Sequence, residues 1–136
     1  MRVVLDTNVL ISAMFWSGKP KQIVNMVRRG EIIFLTSRIL LDELKEILVR
    51  NDKPFRLSEG EAAYIIEEFE GLSEIIQPRC NVTVCTHETD NRVLECALDG
   101  KAKWIITGDS HLLDLGSYEG TKIITAADFM IMSSST

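Results

Sequence analysis

The sequence has few of the residues that build disulfide-linked or membrane-embedded folds. It contains only 3 cysteines and 3 prolines in 136 residues, and an odd number of cysteines argues against a disulfide framework. No apolar run reaches the roughly 18 residues that span a bilayer, and the apolar start is too short for a signal peptide. We therefore expect a reduced, cytoplasmic protein that makes no membrane contact.

Length and composition favour one domain with a substantial core. Hydrophobic residues make up 46% of the chain, which is enough to fold without metal or disulfide crosslinks. We expect a single domain over residues 1–132 and a frayed tail over 133–136. The net charge of −5 argues against broad electrostatic binding to nucleic acid or anionic membranes. It does not exclude a nuclease, because a metal-dependent active site itself gathers carboxylates.

Short apolar segments alternate with segments of helical periodicity along the whole chain. The apolar segments, which predict strands, are residues 2–5, 31–35, 73–77, 103–107 and 122–124. Helices are predicted at 8–16, 20–29, 38–50, 58–71, 90–99 and 109–115 and after residue 125, and residues 51–58 are predicted to form a loop. This alternation predicts an α/β fold, with a central parallel sheet and helices on both faces.

Three aspartates occur where strands end or helices begin. Asp6 and Asp109 each follow a strongly apolar strand, so both should lie at the carboxyl edge of the sheet, where α/β folds bind ligands. Asp90 lies at the start of the helix that precedes the strand before Asp109. Each aspartate could instead be only a helix N-cap.

Glu43 is the fourth candidate acid. Leu40, Leu44 and Ile47 belong to the buried stripe of its predicted helix, and Glu43 lies at the margin of that stripe. It could extend over the sheet edge toward Asp6, or it could simply reach solvent.

Several carboxylates at one edge would repel each other unless cations bind between them. Oxygen ligands suit Mg²⁺ or Mn²⁺, and such ions promote hydrolysis of phosphodiesters by activated water. The four acids therefore predict a metal-dependent hydrolase.

Four segments together resemble the PIN-domain family, and in particular the VapC-like toxin ribonucleases of prokaryotic toxin–antitoxin systems. In chain order they are Val4-Leu5-Asp6-Thr7-Asn8-Val9, the helix with Glu43, Asp90-Asn91-Arg92-Val93-Leu94-Glu95-Cys96-Ala97-Leu98 and Ile105-Ile106-Thr107-Gly108-Asp109. The resemblance covers residues 2 to about 129.

The resemblance implies a three-layer sandwich with five parallel strands and a Mg²⁺- or Mn²⁺-dependent endoribonuclease. By position, the metal ligands and catalytic residues would be Asp6, Glu43, Asp90 and Asp109, supported by Asn8 and Thr107. It also implies an RNA substrate, a cognate antitoxin protein and a homodimer.

The chain departs from this pattern in the stretch before the fourth helix of the family, which contains Asp90. Relatives of this branch tend to have an acidic Asp-Pro-Asp-Asp-Asn stretch, whereas this sequence has His87-Glu88-Thr89-Asp90-Asn91. The main acid is kept as Asp90, but an accessory acid is missing, which weakens the case for a second metal ion.

Other residues suggest alternative sites. Cys80, Cys85, His87 and Cys96 could bind Zn²⁺, but their spacing matches no familiar zinc motif, and separate thiols with Cys96 buried is the better interpretation. His111 could be a proton donor or an exposed helix residue. A basic group could guide RNA or simply be solvated, namely Lys19, Lys21, Arg28 and Arg29.

Phe15-Trp16 could contact a partner or pack in the core.

Two further interpretations belong to other functional classes. The chain could be an RNA-binding or regulatory module in which the acids are only caps. It could also be a phosphatase with Asp6 as nucleophile, although such enzymes usually have an aspartate where Asn8 stands.

Overall fold

The protein is a three-layer α/β sandwich, seen in a computed structural model that describes residues 1–50 and 53–134. Its strands are β1 (Arg2–Leu5), β2 (Ile33–Ser37), β3 (Ser73–Ile76), β4 (Trp104–Ile106), β5 (Ser117–Tyr118) and β6 (Thr121–Ile124). Its helices are α1 (Thr7–Phe15), α2 (Lys19–Arg28), α3 (Arg38–Leu48), α4 (Glu59–Leu72), α5 (Glu88–Asp99), α6 (Ser110–Leu115) and α7 (Ala126–Ser134).

The strands form one sheet in the order β3-β2-β1-β4-β6-β5. All neighbouring pairs are parallel except β5 and β6. The predicted parallel α/β sheet is therefore confirmed, but the described sheet has six strands where we expected five. The additional strand, β5, is joined to β6 by Glu119 and Gly120, whose φ angles of 49° and 87° are those of a tight hairpin turn.

Alternating side chains of β1 divide the interior into two cores. Val3 and Leu5 pack with residues from α1, α2, α3, α4 and α7 on one face of the sheet. Val4 packs on the other face, mainly with residues from α5 and α6. Burying each such side chain contributes about 1.5–3 kcal/mol. Because side chains alternate along a strand, Asp6 continues the Val4 side, which faces α5.

Local capping fixes several helix starts. The predicted capping box of α4 is present, since Glu61 N donates to Ser58 Oγ over 3.1 Å and Ser58 N donates to Glu61 Oε1 over 2.9 Å. Helix α5 begins at Glu88 with His87 at the N-cap position. Asp90 therefore lies inside the first turn of α5, so the N-cap interpretation was wrong for this residue.

The chain ends differ in small ways from expectation. Helix α7 extends to Ser134, so residues 133 and 134 are helical, whereas we predicted a frayed tail from 133 onward. Residues 135–136 of that tail, and residues 51–52 of the predicted loop, lie outside the described residues. In the described ranges, no helix is long and apolar enough to cross a membrane.

Candidate active site

An acidic cleft of about 240 Å³ opens at the carboxyl ends of β1 and β4. The register explains its position, because Leu5 pairs with Ile106 and both strands end there. The residues that line the cleft are Asp6, Thr7, Asn8, Glu43, His87, Thr89, Asp90, Asp109 and His111. The structure thus brings together all four predicted acids, which come from separate parts of the chain.

Asp6 is buried at the cleft, with 6% of its surface exposed. Its Oδ1 accepts a hydrogen bond from Thr7 N over 2.7 Å, and its Oδ2 accepts one from Thr107 Oγ1 over 2.6 Å. Burial raises the pKa of Asp6, the hydrogen bonds from Thr107 and Thr7 lower it, and the charge of Asp109 raises it, with a net increase. Asp6 is thus a helix cap as well as part of the cleft.

Thr107 connects Asp6 to Asp109. Its hydroxyl donates to Asp6 and accepts a hydrogen bond from Asp109 N over 3.0 Å, while the residue is fully buried. Asp109 Oδ1 in turn accepts from His111 N over 2.7 Å and caps α6. Thr107 therefore fixes the relative positions of two acids. It does not line the acidic cleft itself.

Asp90 has a buried oxygen that lacks a hydrogen bond. Its Oδ2 has no partner among the described atoms, and 5% of the residue is exposed. Burial raises the pKa of Asp90, and the charges of Asp109 and Asp6 raise it further. The neighbouring Asn91 fixes the start of α5, since its side chain exchanges hydrogen bonds of 2.8 and 3.0 Å with the backbone of Cys85.

Glu43 reaches the cleft from α3 and is half-buried. Burial raises its pKa from 4.5 to about 7, and the charge of Asp6 adds to the increase. A hydrogen bond with Thr89 acts in the opposite direction. A glutamate that simply reached solvent would keep its ordinary pKa, so the raised value records first the burial of Glu43 and then its approach to Asp6.

Asn8 is exposed at the boundary between the acidic cleft and a second groove of about 260 Å³. That groove has small or uncharged lining residues, such as Ser12, Gly108 and Ala126. Asn8 thus contacts both spaces through which a substrate could approach the acids.

The sequence reasoning did not place His87 and Thr89 in this cleft. His87 was grouped with the cysteines, but it faces the acids, and its ring centroid lies 5.1 Å from that of His111. Cys96 is fully buried in the core, as we expected, and the 3 cysteines are free. Residues 1–50 and 53–134 contain no group of three or more His, Cys, Asp or Glu side chains arranged to hold a metal ion. The zinc interpretation, which needs direct ligands on all sides, therefore has no structural basis.

The four acids of the cleft suit a hydrated hard cation. Mg²⁺ keeps several water ligands and needs only one or two direct carboxylates, so a tightly closed set of side chains is not required. Asp90 Oδ2 is buried without a partner among the described atoms, and burial together with the charges of neighbouring acids raises the pKa values of Asp6, Glu43 and Asp90. The four carboxylates supply oxygen ligands, which fit Mg²⁺ or Mn²⁺, and His87 and His111 also line the cleft.

A larger groove of about 760 Å³ lies between α1, α2 and α4. Phe15 lines it and stacks on Phe55 with 4.6 Å between ring centroids, while the adjacent Trp16 is 53% exposed. Lys21 and Arg28 line this groove and do not line the acidic cleft. Phe15 is therefore packed against another aromatic ring, whereas about half of its neighbour Trp16 is exposed.

Comparisons with known proteins agree with this fold. The sequence model of the PIN domain matches residues 2–111. An uncharacterized protein of Methanocaldococcus jannaschii is 35% identical over 117 residues, which cover 85% of this chain and 75% of that protein.

Two solved structures have similar folds. One is a chain of the crystal structure of VapBC2 from Rickettsia felis bound to a DNA fragment from their promoter, with a TM-score of 0.65, 14% identity, and coverage of 90% of this chain and 97% of that one. The other is PAE2754 from Pyrobaculum aerophilum, with a TM-score of 0.63, 12% identity, and coverage of 100% and 91%. The chain belongs to the PIN-domain family, whose members are generally nucleases.

Proposed function

We propose that this protein is a metal-dependent endoribonuclease that hydrolyses RNA phosphodiester bonds. The observation that carries the proposal is the convergence of Asp6, Glu43, Asp90 and Asp109 on one cleft at the carboxyl edge of the sheet. These acids come from four separate segments of a chain that belongs to a family of nucleases. A role as caps alone would not require Glu43 or Asp90 to face the other acids.

In this proposal the four carboxylates hold a hydrated Mg²⁺ or Mn²⁺, one or two of them directly and the others through its water ligands. The bound ion would polarise the phosphate and supply an activated water. Thr107 keeps Asp6 and Asp109 in position through its two hydrogen bonds. Asn8 is exposed at the boundary of the cleft and would contact the substrate strand.

The geometry disfavours a phosphatase that uses Asp6 as a nucleophile. Both carboxylate oxygens of Asp6 already accept hydrogen bonds, from Thr7 N and from Thr107 Oγ1. Hydrogen bonds to an ionised carboxylate are strong and stabilise it as an anion held in one orientation. Attack by water therefore suits the site better than attack by this side chain.

We also propose that a cognate antitoxin protein binds this chain. A VapBC2 structure has the same fold, and the groove between α1, α2 and α4 offers a surface for such a partner. Lys21 and Arg28 line the groove from α2, Glu61 and Glu68 line it from α4, and Tyr64 is 66% exposed there. An amphipathic segment with charges on both edges would match this surface. Homodimer formation stays a prediction from the family resemblance.

The test is an Asp6→Asn variant in an RNA cleavage assay. We expect cleavage by the unmodified protein to require Mg²⁺ or Mn²⁺ and to fall by more than about 100-fold in the variant, because removing one charged metal ligand weakens both metal binding and activation. Its melting temperature without metal should not fall, since asparagine can keep the cap of α1.

Metal titration separates the proposal from a module that only binds RNA. The melting temperature of the unmodified protein should rise with the logarithm of excess Mn²⁺. A protein that neither cleaves RNA nor gains stability from Mn²⁺ would instead be an RNA-binding or regulatory module.

A further inference from the structure

We propose that His87 and His111 are the substrate-positioning residues of the acidic cleft, where their imidazole N–H groups donate hydrogen bonds to phosphate oxygens of the RNA. This inference rests on the proposed ribonuclease function and assigns two residues that the acid cluster alone does not explain.

The two histidines come from different elements but lie together at the cleft. His87 is at the N-cap position of α5, and His111 is in the first turn of α6. Their ring centroids are 5.1 Å apart, with an angle of 47° between the planes. Both residues are exposed and both line the cleft. They therefore form one pair of imidazoles at the opening above the acids.

The backbone around each histidine is fixed by the acids themselves. Asp90 N donates to the carbonyl oxygen of His87 over 3.1 Å, and His111 N donates to Asp109 Oδ1 over 2.7 Å. The starts of α5 and α6, which carry Asp90 and Asp109, therefore also carry the two imidazole rings. A substrate phosphate that enters the acidic cleft beside His87 and His111 therefore comes close to the imidazoles.

The negative charge of the cleft explains why a phosphate there needs hydrogen-bond donors that carry no negative charge. Each RNA phosphate is negative, and four of the lining residues are acids. Among the residues described as lining the cleft, none is lysine or arginine. The other lining side chains with donor groups include Thr89, which is already hydrogen-bonded with Glu43. A neutral imidazole still has one N–H donor, so the pair can bind a phosphate at the opening without adding negative charge.

Substitution of each histidine by Phe and by Gln tests the N–H donor and the aromatic ring separately. His87→Phe and His111→Phe keep an aromatic ring but remove the N–H group, whereas His87→Gln and His111→Gln keep an N–H donor but remove the ring. Cleavage of a labelled single-stranded RNA would be measured with saturating Mn²⁺. We expect each Phe variant to raise KM about tenfold, with kcat changed less than about twofold, because a hydrogen bond to a charged group is lost. The Gln variants should recover most of that loss.

Two results for the KM of the variants would overturn the proposal, and a third result concerns kcat. One is an unchanged KM in both Phe variants. The other is a loss in the Gln variants that the Phe variants do not share, which would mean that the rings stack on bases. A fall in kcat at constant KM would also overturn it, since the histidines would then act in the chemical step.

Control measurements distinguish positioning from other roles. The rise in melting temperature with Mn²⁺ should be the same in all variants, and its loss would show that the imidazoles are metal ligands. If the unmodified protein does not cleave RNA, the proposed function fails. RNA binding measured by fluorescence anisotropy then decides the inference, and equal Kd values for the unmodified protein and the Phe variants would overturn it.

Discussion

Replacing Glu43 with glutamine should stabilise the metal-free protein at alkaline pH. Burial and the charge of Asp6 raise the pKa of Glu43 from 4.5 to about 7, so the folded protein disfavours the ionised carboxylate. The unfolded chain ionises at the ordinary pKa. The loss of stability therefore begins as pH rises above 4.5 and is complete above about 7. A neutral glutamine at this position removes the loss.

The magnitude follows from the difference between the two pKa values. Before any correction for solvent screening, the difference between pKa values of 4.5 and about 7 corresponds to about 3 kcal/mol in the free energy of unfolding. Because Glu43 is only half-buried, solvent screening reduces this to about 1–2 kcal/mol. For a chain of this length, that range corresponds to an increase in melting temperature of about 3–7 °C.

Urea denaturation in the presence of a chelator measures the effect. The Glu43→Gln variant should be more stable than the unmodified protein at about pH 8, and the difference should fall to less than half at about pH 5. Glu67→Gln on the exposed side of α4 is the matched control, and it should change little at either pH. If Glu43→Gln is equally stable or less stable at about pH 8, burial and the charge of Asp6 do not disfavour the ionised form of Glu43 as we infer.

Two further predictions concern a buried hydroxyl and an exposed ring. Thr107→Val removes the hydrogen bonds to Asp6 Oδ2 and from Asp109 N. We therefore expect a loss of about 1–3 kcal/mol in the free energy of unfolding and weaker stabilisation by Mn²⁺. An unchanged Mn²⁺ titration would contradict the positioning role of Thr107. Tyr64→Glu should weaken binding of the proposed antitoxin partner in a co-purification assay, because a charge would replace an aromatic ring on the groove between α1, α2 and α4, whereas Glu67→Gln should not. Equal recovery of the partner with both variants would show that it binds elsewhere.

The main acids could be placed from the sequence because their positions depend on simple periodicity. Asp6 and Asp109 each end an apolar run, and parallel strands bring such ends to one edge. Glu43 could be placed because helical spacing puts it beside the buried stripe that includes Leu40 and Leu44.

The remaining features depend on contacts that the local sequence does not show. Strand β5 has two residues, too few for an alternating pattern. Thr36 and Ser37 look like a cap signal, and Ser37 does cap α3, but both residues also belong to β2 and are buried. His87 reaches the cleft because Asn91 fixes the preceding backbone at Cys85. This contact belongs to the folded loop and has no periodic signal.

The interpretation of the aspartates as caps and their interpretation as site residues are compatible. Asp6 and Asp109 each use Oδ1 to cap a helix, whereas a carboxylate has about four acceptor positions. The positive end of a helix also favours a nearby negative charge, so capping helps to hold these acids close together. Asp90 has an oxygen without a partner, and Glu43 comes from the interior of α3. These two acids lack a capping contact, so their charges have the most to gain from a bound cation.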